Sequence, residues 1–247
     1  MNTDIGLLGL WLVITLIMPM EILSQNKENS HELLSVIDST RKIYGLSDIL
    51  VNGAVYFQEN PKASGSPFLF SPDYTKGAVF IGGHCFDNCD LNYDIVSKQL
   101  ILLSTMPTGA RLPICLDNML VDSFLLYDYL FINTNKLHVD LNTTYVLALS
   151  HGNNQLVLAY SKQFIHQYNQ NIPFGKFSHD TRTLYYLTNH KAVRIKSKKY
   201  FQKLFPNIKK ELTQYISKKH LKIKKASPEQ LHRLMEFCHF QMNLQND

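Results

Sequence analysis

The compact group of metal-binding residue types in this 247-residue chain is His84, Cys85 and Cys89. Zinc needs three or four ligands that converge at about 2.0–2.3 Å, and no fourth ligand accompanies these three. Positions four apart on an extended strand lie roughly 13 Å apart, so the two cysteines converge only if the chain turns at Asp87-Asn88. We therefore expect no metal and no other cofactor. The pattern favours a buried Cys89 thiol beside a surface His84 and a buried Cys238 thiol, and it leaves a Cys85–Cys89 disulfide open.

Aspartates suggest a second kind of chemistry, because two carboxyl groups that face one cleft can act as general acid and base. Asp90 and Asp94, however, alternate with apolar residues onto the expected solvated face of a strand, where ionised carboxylates are ordinary. The chain has no nucleophile elbow, phosphate-binding loop or dinucleotide-binding glycine pattern. We predict no catalytic residues and favour a non-enzymatic protein. The alternative is an envelope hydrolase in which His84 and Asp94 or Asp122 converge on the concave side of a sheet.

A basic stretch is the most distinctive feature of the sequence. Residues 191–225 contain thirteen Lys or Arg and one acid, Glu211, so this stretch carries a net charge of +12. The rest of the chain carries −7, and the total of +5 conceals this separation of charge. Anionic lipid, lipopolysaccharide or an acidic protein partner fits such a charge, whereas export argues against nucleic acid. The alternative is that the lysines form the solvated faces of docked helices. The candidate anion-binding residues are Lys196, Lys198, Lys199, Lys209, Lys210, Lys218, Lys219 and Lys222.

The N-terminal segment predicts export. Ile5 to Met20 is uncharged and shorter than the roughly 20 apolar residues that a spanning helix needs, which is typical of a signal-peptide core. Pro19 breaks the helix and Ser24 provides a small residue at a cleavage boundary, so we predict a signal peptide over 1–24 and a periplasmic or envelope-associated protein. Asp4 stands where a positive charge is usual, which leaves an uncleaved N-terminal anchor as the alternative.

The predicted body of the protein, residues 25–195, combines a short helix over 31–43 with antiparallel strands. Strand-forming runs are cut by turn residues every eight to twelve positions, which indicates a curved sheet or sandwich of about ten strands. The clearest signal is Gly77–Ile81 followed by Gly82-Gly83, because two glycines tolerate the positive φ of a tight hairpin. The further strands are expected at 89–95, 99–103, 114–116, 120–127, 130–132, 145–150, 156–161, 174–177 and 183–188.

Helical periodicity replaces this pattern in residues 196–247, which we expect to pack on the sheet as part of the same folding unit. Phe205-Pro206 ends a first short helix, and apolar residues from Ile208 to Ile216 form one helical face. Ser227, Pro228 and Gln230 have the pattern of an N-cap, first turn and capping box of a last helix. The predicted fold class is therefore β-rich α+β with C-terminal helices.

Several short motifs resemble secreted, functionally uncharacterised β-rich proteins of Bacteroidota. Tyr44–Gly53, Gly65–Leu69 and Leu91–Ile95 carry the resemblance in the β region, and Lys196–Tyr200 and Leu204-Phe205-Pro206 carry it in the basic helical end. The resemblance spans most of the chain after residue 24 and implies an exported β-rich body with a helical C-terminus. It implies no catalytic residues. Together with the charge segregation, it predicts an exported binding or structural module that uses its basic C-terminal face on anionic envelope components.

Overall fold

Runs of β-branched and aromatic residues form a ten-stranded antiparallel sheet in the described part of the chain. The structure, a computed structural model, describes residues 50, 53–106, 108–152, 154–188 and 191–244. All of these belong to the second of the two units, 1–48 and 49–247, into which the chain divides. The predicted signal peptide and the predicted helix over 31–43 lie outside the described residues.

The chain forms twelve strands in its described part. Their bounds are β1 Thr75–Ile81, β2 His84–Asp94, β3 Gln99–Thr105, β4 Arg111–Cys115, β5 Val121–Leu126, β6 Tyr129–Asn133, β7 Tyr145–Ala148, β8 Gln155–Ser161, β9 Phe164–Ile165, β10 Lys176–Phe177, β11 Thr181–Thr188 and β12 Lys191–Arg194. Strands β9 and β10 form a separate two-stranded ribbon, and the other ten lie in the order β12-β11-β8-β7-β6-β5-β1-β2-β3-β4. The prediction of about ten antiparallel strands is confirmed, although β9 and β12 were not expected.

The turn chemistry of the first hairpin is as predicted. Gly82 and Gly83 have φ of 55° and 82° and connect β1 to β2, where Ile81 pairs with His84. A side chain at either glycine would meet open space, so the requirement for glycine is one of backbone conformation.

Several strands are buried on both faces. In β3, Leu100, Ile101 and Leu102 are all fully buried, and in β8 the residues 156–158 are at most 2% exposed. Consecutive residues of a strand point to opposite faces, so other parts of the chain must cover the sheet on both sides.

The prediction that one face of β2 is solvated is wrong for Asn92 and Asp94, which are only 1% and 4% exposed. Asp90, on the same face, is half-buried. The segment before β1 covers this part of the strand. The Asn92 amide donates to the backbone carbonyls of residues 71–73 at 2.9–3.3 Å, and Asp94 accepts from the Tyr56 hydroxyl at 2.8 Å. These buried polar groups are therefore satisfied within the protein.

Three helices follow the sheet in the described chain: α1 Lys198–Leu204, α2 Lys209–Lys218 and α3 Pro228–Leu244. The predicted capping box is confirmed, because Gln230 N donates to Ser227 Oγ at 3.3 Å and Ser227 N donates to Gln230 Oε1 at 2.9 Å. None of the described helices is long and apolar enough to cross a membrane.

The helices contact the sheet through specific side chains. Phe205, which follows α1, packs its ring edge-on against Tyr186 of β11 with 5.5 Å between the centroids. A ring nitrogen of His232 in α3 lies 2.8 Å from the carbonyl oxygen of Leu149, just beyond β7. These two contacts join Phe205 and α3 to the β body.

Candidate anion-binding cleft

The residues of the hydrolase alternative do not converge as a group. His84 and Asp94 are the first and last residues of β2, and ten residue steps of a strand span roughly 33 Å. The Asp94 carboxylate already accepts hydrogen bonds from Tyr56 and from the backbone N–H groups of Val96 and Ser97 at 2.8–2.9 Å. It therefore holds the turn after β2.

Asp122 lies near the turn that precedes His84, but it too has structural partners. Its carboxylate contacts Lys136 Nζ at 2.7 Å, and the lysine holds the pKa of Asp122 below its usual range. The backbone N–H groups of Gly82 and Gly83 lower the same pKa further. The Asp122 carboxylate therefore joins β5 to the β1–β2 turn and to the segment after β6.

The His and Cys residues form no metal site in the part of the chain that the structure describes, where no three His, Cys, Asp or Glu side chains are grouped for a metal. Cys85 is exposed, Cys89 is buried, and both are free thiols, so the Cys85–Cys89 disulfide is not formed. Burial raises the pKa of Cys89 to about 11 and that of Cys238 to about 12. The prediction that these two are buried thiols is confirmed.

The eight lysines predicted to bind anions are all exposed, and the structure distributes them over several elements. Lys198 and Lys199 lie on α1, three more on α2, and the others in the connecting segments. One of the eight, Lys196, lines a cavity together with other cations.

That cavity is a cleft of about 530 Å³, which we call the cationic cleft. Five cations line it: Arg182 from β11, Arg194 from β12, Lys196 just beyond it, and Lys224 and Lys225 from the segment before α3. The remaining lining residues are Leu158, Thr183, Leu184, Ile195 and Ile223.

The sheet topology assembles the cationic cleft. Strand β11 begins at Thr181 and its antiparallel neighbour β12 ends at Arg194, so Arg182 and Lys196 come to the same end of the sheet. Buried Ile195 and Ile223, each 4% exposed, anchor the two flanking segments. Arg182 also donates to the carbonyl oxygen of Lys224 at 3.3 Å, which fixes the segment before α3 against β11.

The charged residues that line the cationic cleft in the described chain are all cations. Among the described residues, none that lines it carries a carboxylate, and the five ion pairs of the structure all involve other cations. Like charges that share a concave surface raise one another's electrostatic energy and focus a positive potential on the space between them. The arrangement can therefore bind a multiply charged anion.

Tyr160 lies beside the cationic cleft, next to one of its lining residues. It lies opposite Arg182 in the β8–β11 register. Burial raises the pKa of Tyr160, the Arg182 guanidinium acts in the opposite direction, and Asp180 and Glu229 add to the rise. A second cavity, of about 390 Å³, which we call the Glu229 cavity, includes Asp128, Tyr129, His151, Glu229, His232 and Arg233 in its lining.

Glu229, in the first turn of α3, is held by two hydroxyl groups. The Ser227 hydroxyl donates to one carboxylate oxygen and the Tyr129 hydroxyl to the other. These two bonds hold the pKa of Glu229 below its usual range, and the carboxylate raises the pKa of Tyr129 to about 12. The carboxylate thus joins α3 to the first residue of β6.

We expect Glu229→Gln to lower the free energy of unfolding at neutral pH and to have a smaller effect in acid. A carboxylate whose folded pKa is lowered stabilises the protein above its unfolded pKa, and this contribution is lost as the pH falls through the folded value. Urea unfolding of both proteins at about pH 7 and about pH 3 measures the difference. A stability difference that is the same at both pH values contradicts the expectation.

Four cleft residues, Arg182, Arg194, Lys224 and Lys225, are not among the lysines that the sequence pattern predicted to bind anions. The last three lie in the basic stretch but were not selected, and Arg182 lies outside it. The only available signal was the β11–β12 hairpin, whose register would have placed Arg182 and Lys196 at one end of the sheet.

Comparisons of the chain with protein-family models, with curated proteins and with solved structures find no match.

Proposed function

We propose that the protein is an exported, non-enzymatic module of the cell envelope that binds an anionic group in the cationic cleft. The observation that carries this proposal is the gathering of five cations in one concave surface with no carboxylate among the described residues that line it. A lysine on an open helix face is solvated, and a single ion pair that it makes there contributes little free energy. Cations that share a cleft, by contrast, are stabilised when an anion enters.

The ligand chemistry is that of a phosphate group. Guanidinium groups such as those of Arg182 and Arg194 donate two parallel hydrogen bonds to phosphate oxygens, and ammonium groups add charge from several directions. In a cell envelope, phosphate is presented by anionic lipid head groups and by lipopolysaccharide. The exposed lysines of α1 and α2 add a long-range attraction toward such a surface, which weakens with salt.

The proposed export to the cell envelope depends on the apolar segment from Ile5 to Met20 and on the resemblance to secreted β-rich proteins of Bacteroidota. The proposal also keeps two finer features of the predicted fold, a curved sheet and a short helix over residues 31–43. The register irregularities of β1 at Gly77/Val79 and Phe80/Ile81 support curvature, because bulges bend strands and increase their twist.

Sedimentation with vesicles tests the proposed function. We expect the purified protein to bind phosphatidylcholine vesicles that contain phosphatidylglycerol, and to bind lipopolysaccharide, at low salt, with weaker binding at high salt. Vesicles of phosphatidylcholine alone are the control for apolar adsorption. Binding to lipopolysaccharide but not to phosphatidylglycerol identifies the source of the phosphate. Negligible binding to both at low and high salt contradicts the proposal.

A further inference from the structure

Four aromatic side chains contact one another in a group that we call the aromatic cluster. Its members are Phe70, Tyr127, Tyr129 and Tyr160. The Phe70 ring is central, with its centroid 5.6 Å from that of Tyr127, 5.9 Å from that of Tyr129 and 5.6 Å from that of Tyr160. Phe70 nevertheless remains 45% exposed, so the cluster presents an apolar surface to solvent.

The backbone under this cluster adopts a conformation that bulky residues rarely take. Phe70 has φ of 64°, and Tyr127 and Asp128 have φ of 52° and 62° in the two-residue turn between β5 and β6. Such a turn ordinarily selects Asn and Gly, because a larger side chain is strained at positive φ. Two strained aromatic residues in contact, one of them largely exposed, are not explained by packing of the core, and such strain is often found at binding sites.

Hydrogen-bond donors and hydrogen-bond acceptors both lie beside the aromatic cluster. Tyr129 belongs to the cluster and also lines the Glu229 cavity, where Asp128 and Glu229 supply acceptors and Arg233 supplies donors. Each oxygen of the Glu229 carboxylate accepts one hydroxyl from the protein and retains a further acceptor site. Aromatic surface beside such groups is the environment that carbohydrates require, because their C–H faces pack on rings and their hydroxyls both donate and accept.

The aromatic cluster and the cationic cleft meet at Tyr160. The ring of Tyr160 contacts Phe70, and Tyr160 is paired in the β8–β11 register with Arg182, a lining residue of the cationic cleft. The Glu229 cavity and the cationic cleft also lie on one continuous segment, with Lys225 lining the cleft and Pro228 lining the cavity. A ligand with an anionic group joined to a sugar ring could contact both.

We propose that the ligand of the cationic cleft is a phosphorylated carbohydrate, whose sugar ring packs on the aromatic cluster and hydrogen-bonds in the Glu229 cavity. This inference rests on the proposed function, because it assigns the phosphate to the cationic cleft. A nucleotide is disfavoured because the Phe70 ring meets its neighbours edge-on or tilted, at 52–81°, which leaves no parallel slot for a flat base.

Calorimetric titration of the full protein with glucose 1-phosphate, inorganic phosphate, glucose and adenosine monophosphate tests the inference. We expect glucose 1-phosphate to bind about tenfold more tightly than inorganic phosphate, because its sugar ring adds one contact with an aromatic side chain. Phe70→Asn and Tyr127→Asn should remove this difference in affinity between the two ligands and leave the affinity for inorganic phosphate unchanged. Asn tolerates positive φ, so both variants should fold. Phe57→Asn, which removes a ring that is 81% exposed outside the cluster, is the matched control.

The possible outcomes separate the two proposals. If glucose 1-phosphate and inorganic phosphate bind equally, and the Asn variants change neither affinity, the inference is overturned and the proposed function stands. If adenosine monophosphate, and not glucose 1-phosphate, binds more tightly than inorganic phosphate, the ligand class is a nucleotide and the inference is also overturned. If no phosphate compound binds, both the inference and the assignment of phosphate to the cationic cleft are wrong.

Discussion

Replacement of Lys162 by Met is expected to lower the free energy of unfolding by about 3 kcal/mol. The Lys162 side chain is only 9% exposed. Its ammonium group donates to the carbonyl oxygens of Ser66 and Phe68 at 2.9 and 2.8 Å and lies 2.9 Å from Asp180 Oδ1. Methionine keeps the apolar stem but leaves two carbonyls and a carboxylate without their donor. The Lys162 ammonium therefore ties the covering segment before β1 to the end of β8.

Chemical and thermal unfolding measure this effect. For a protein of this size a loss of about 3 kcal/mol corresponds to a fall in Tm of about 6–12 °C. Asp180→Asn is the matched control, because Asp180 is 35% exposed and water can replace its partner, so we expect a loss of about 1 kcal/mol. If Lys162→Met unfolds at the temperature of the unmodified protein, the proposed attachment of this segment is wrong.

Neutralising three cations of the cationic cleft is expected to have the largest effect on binding. We predict that the variant Arg194→Gln, Lys196→Gln, Lys225→Gln binds inorganic phosphate about hundredfold more weakly than the unmodified protein, because each lost charge-assisted hydrogen bond costs about 1 kcal/mol. Arg182 is left in place because it also supports the segment before α3. Calorimetry with inorganic phosphate measures the change.

The basic stretch offers a control of equal charge. The variant Lys209→Gln, Lys210→Gln, Lys218→Gln removes three cations from α2, none of which lines the cationic cleft. Because these residues are exposed and solvated, we expect less than a threefold loss of phosphate affinity. Equal losses for the two triple variants would mean that the charge of the whole basic stretch, and not the cleft, attracts the anion.

Local signals in the sequence predicted much of the fold. Gly82-Gly83 predicted the first hairpin because its conformation depends on two adjacent residues, and Ser227 with Gln230 predicted the start of α3 for the same reason. Period-two alternation correctly placed Cys89 and Leu91 in the core. Each of these features is decided within a few residues of the chain.

The incorrect and missing predictions concern contacts between distant segments. Asn92 and Asp94 are buried because the segment before β1 lies across β2, and no pattern within β2 indicates that cover. The cationic cleft was missed for a similar reason, because it depends on β11 pairing with both β8 and β12 and on the return of the chain at Ile223. The sequence shows the excess of lysine, but it does not show which of the lysines share a concave surface.

Phosphate titration of isotope-labelled protein, followed by the NMR shifts of its backbone amides, tests the assignment of anion binding to the cationic cleft most directly. We predict saturable shifts for the amides of Arg182, Arg194, Lys196, Lys224 and Lys225, and none of comparable size for the α2 lysines. Shifts spread evenly over the lysines of α1 and α2, or no saturable shift in the cationic cleft, would contradict the account.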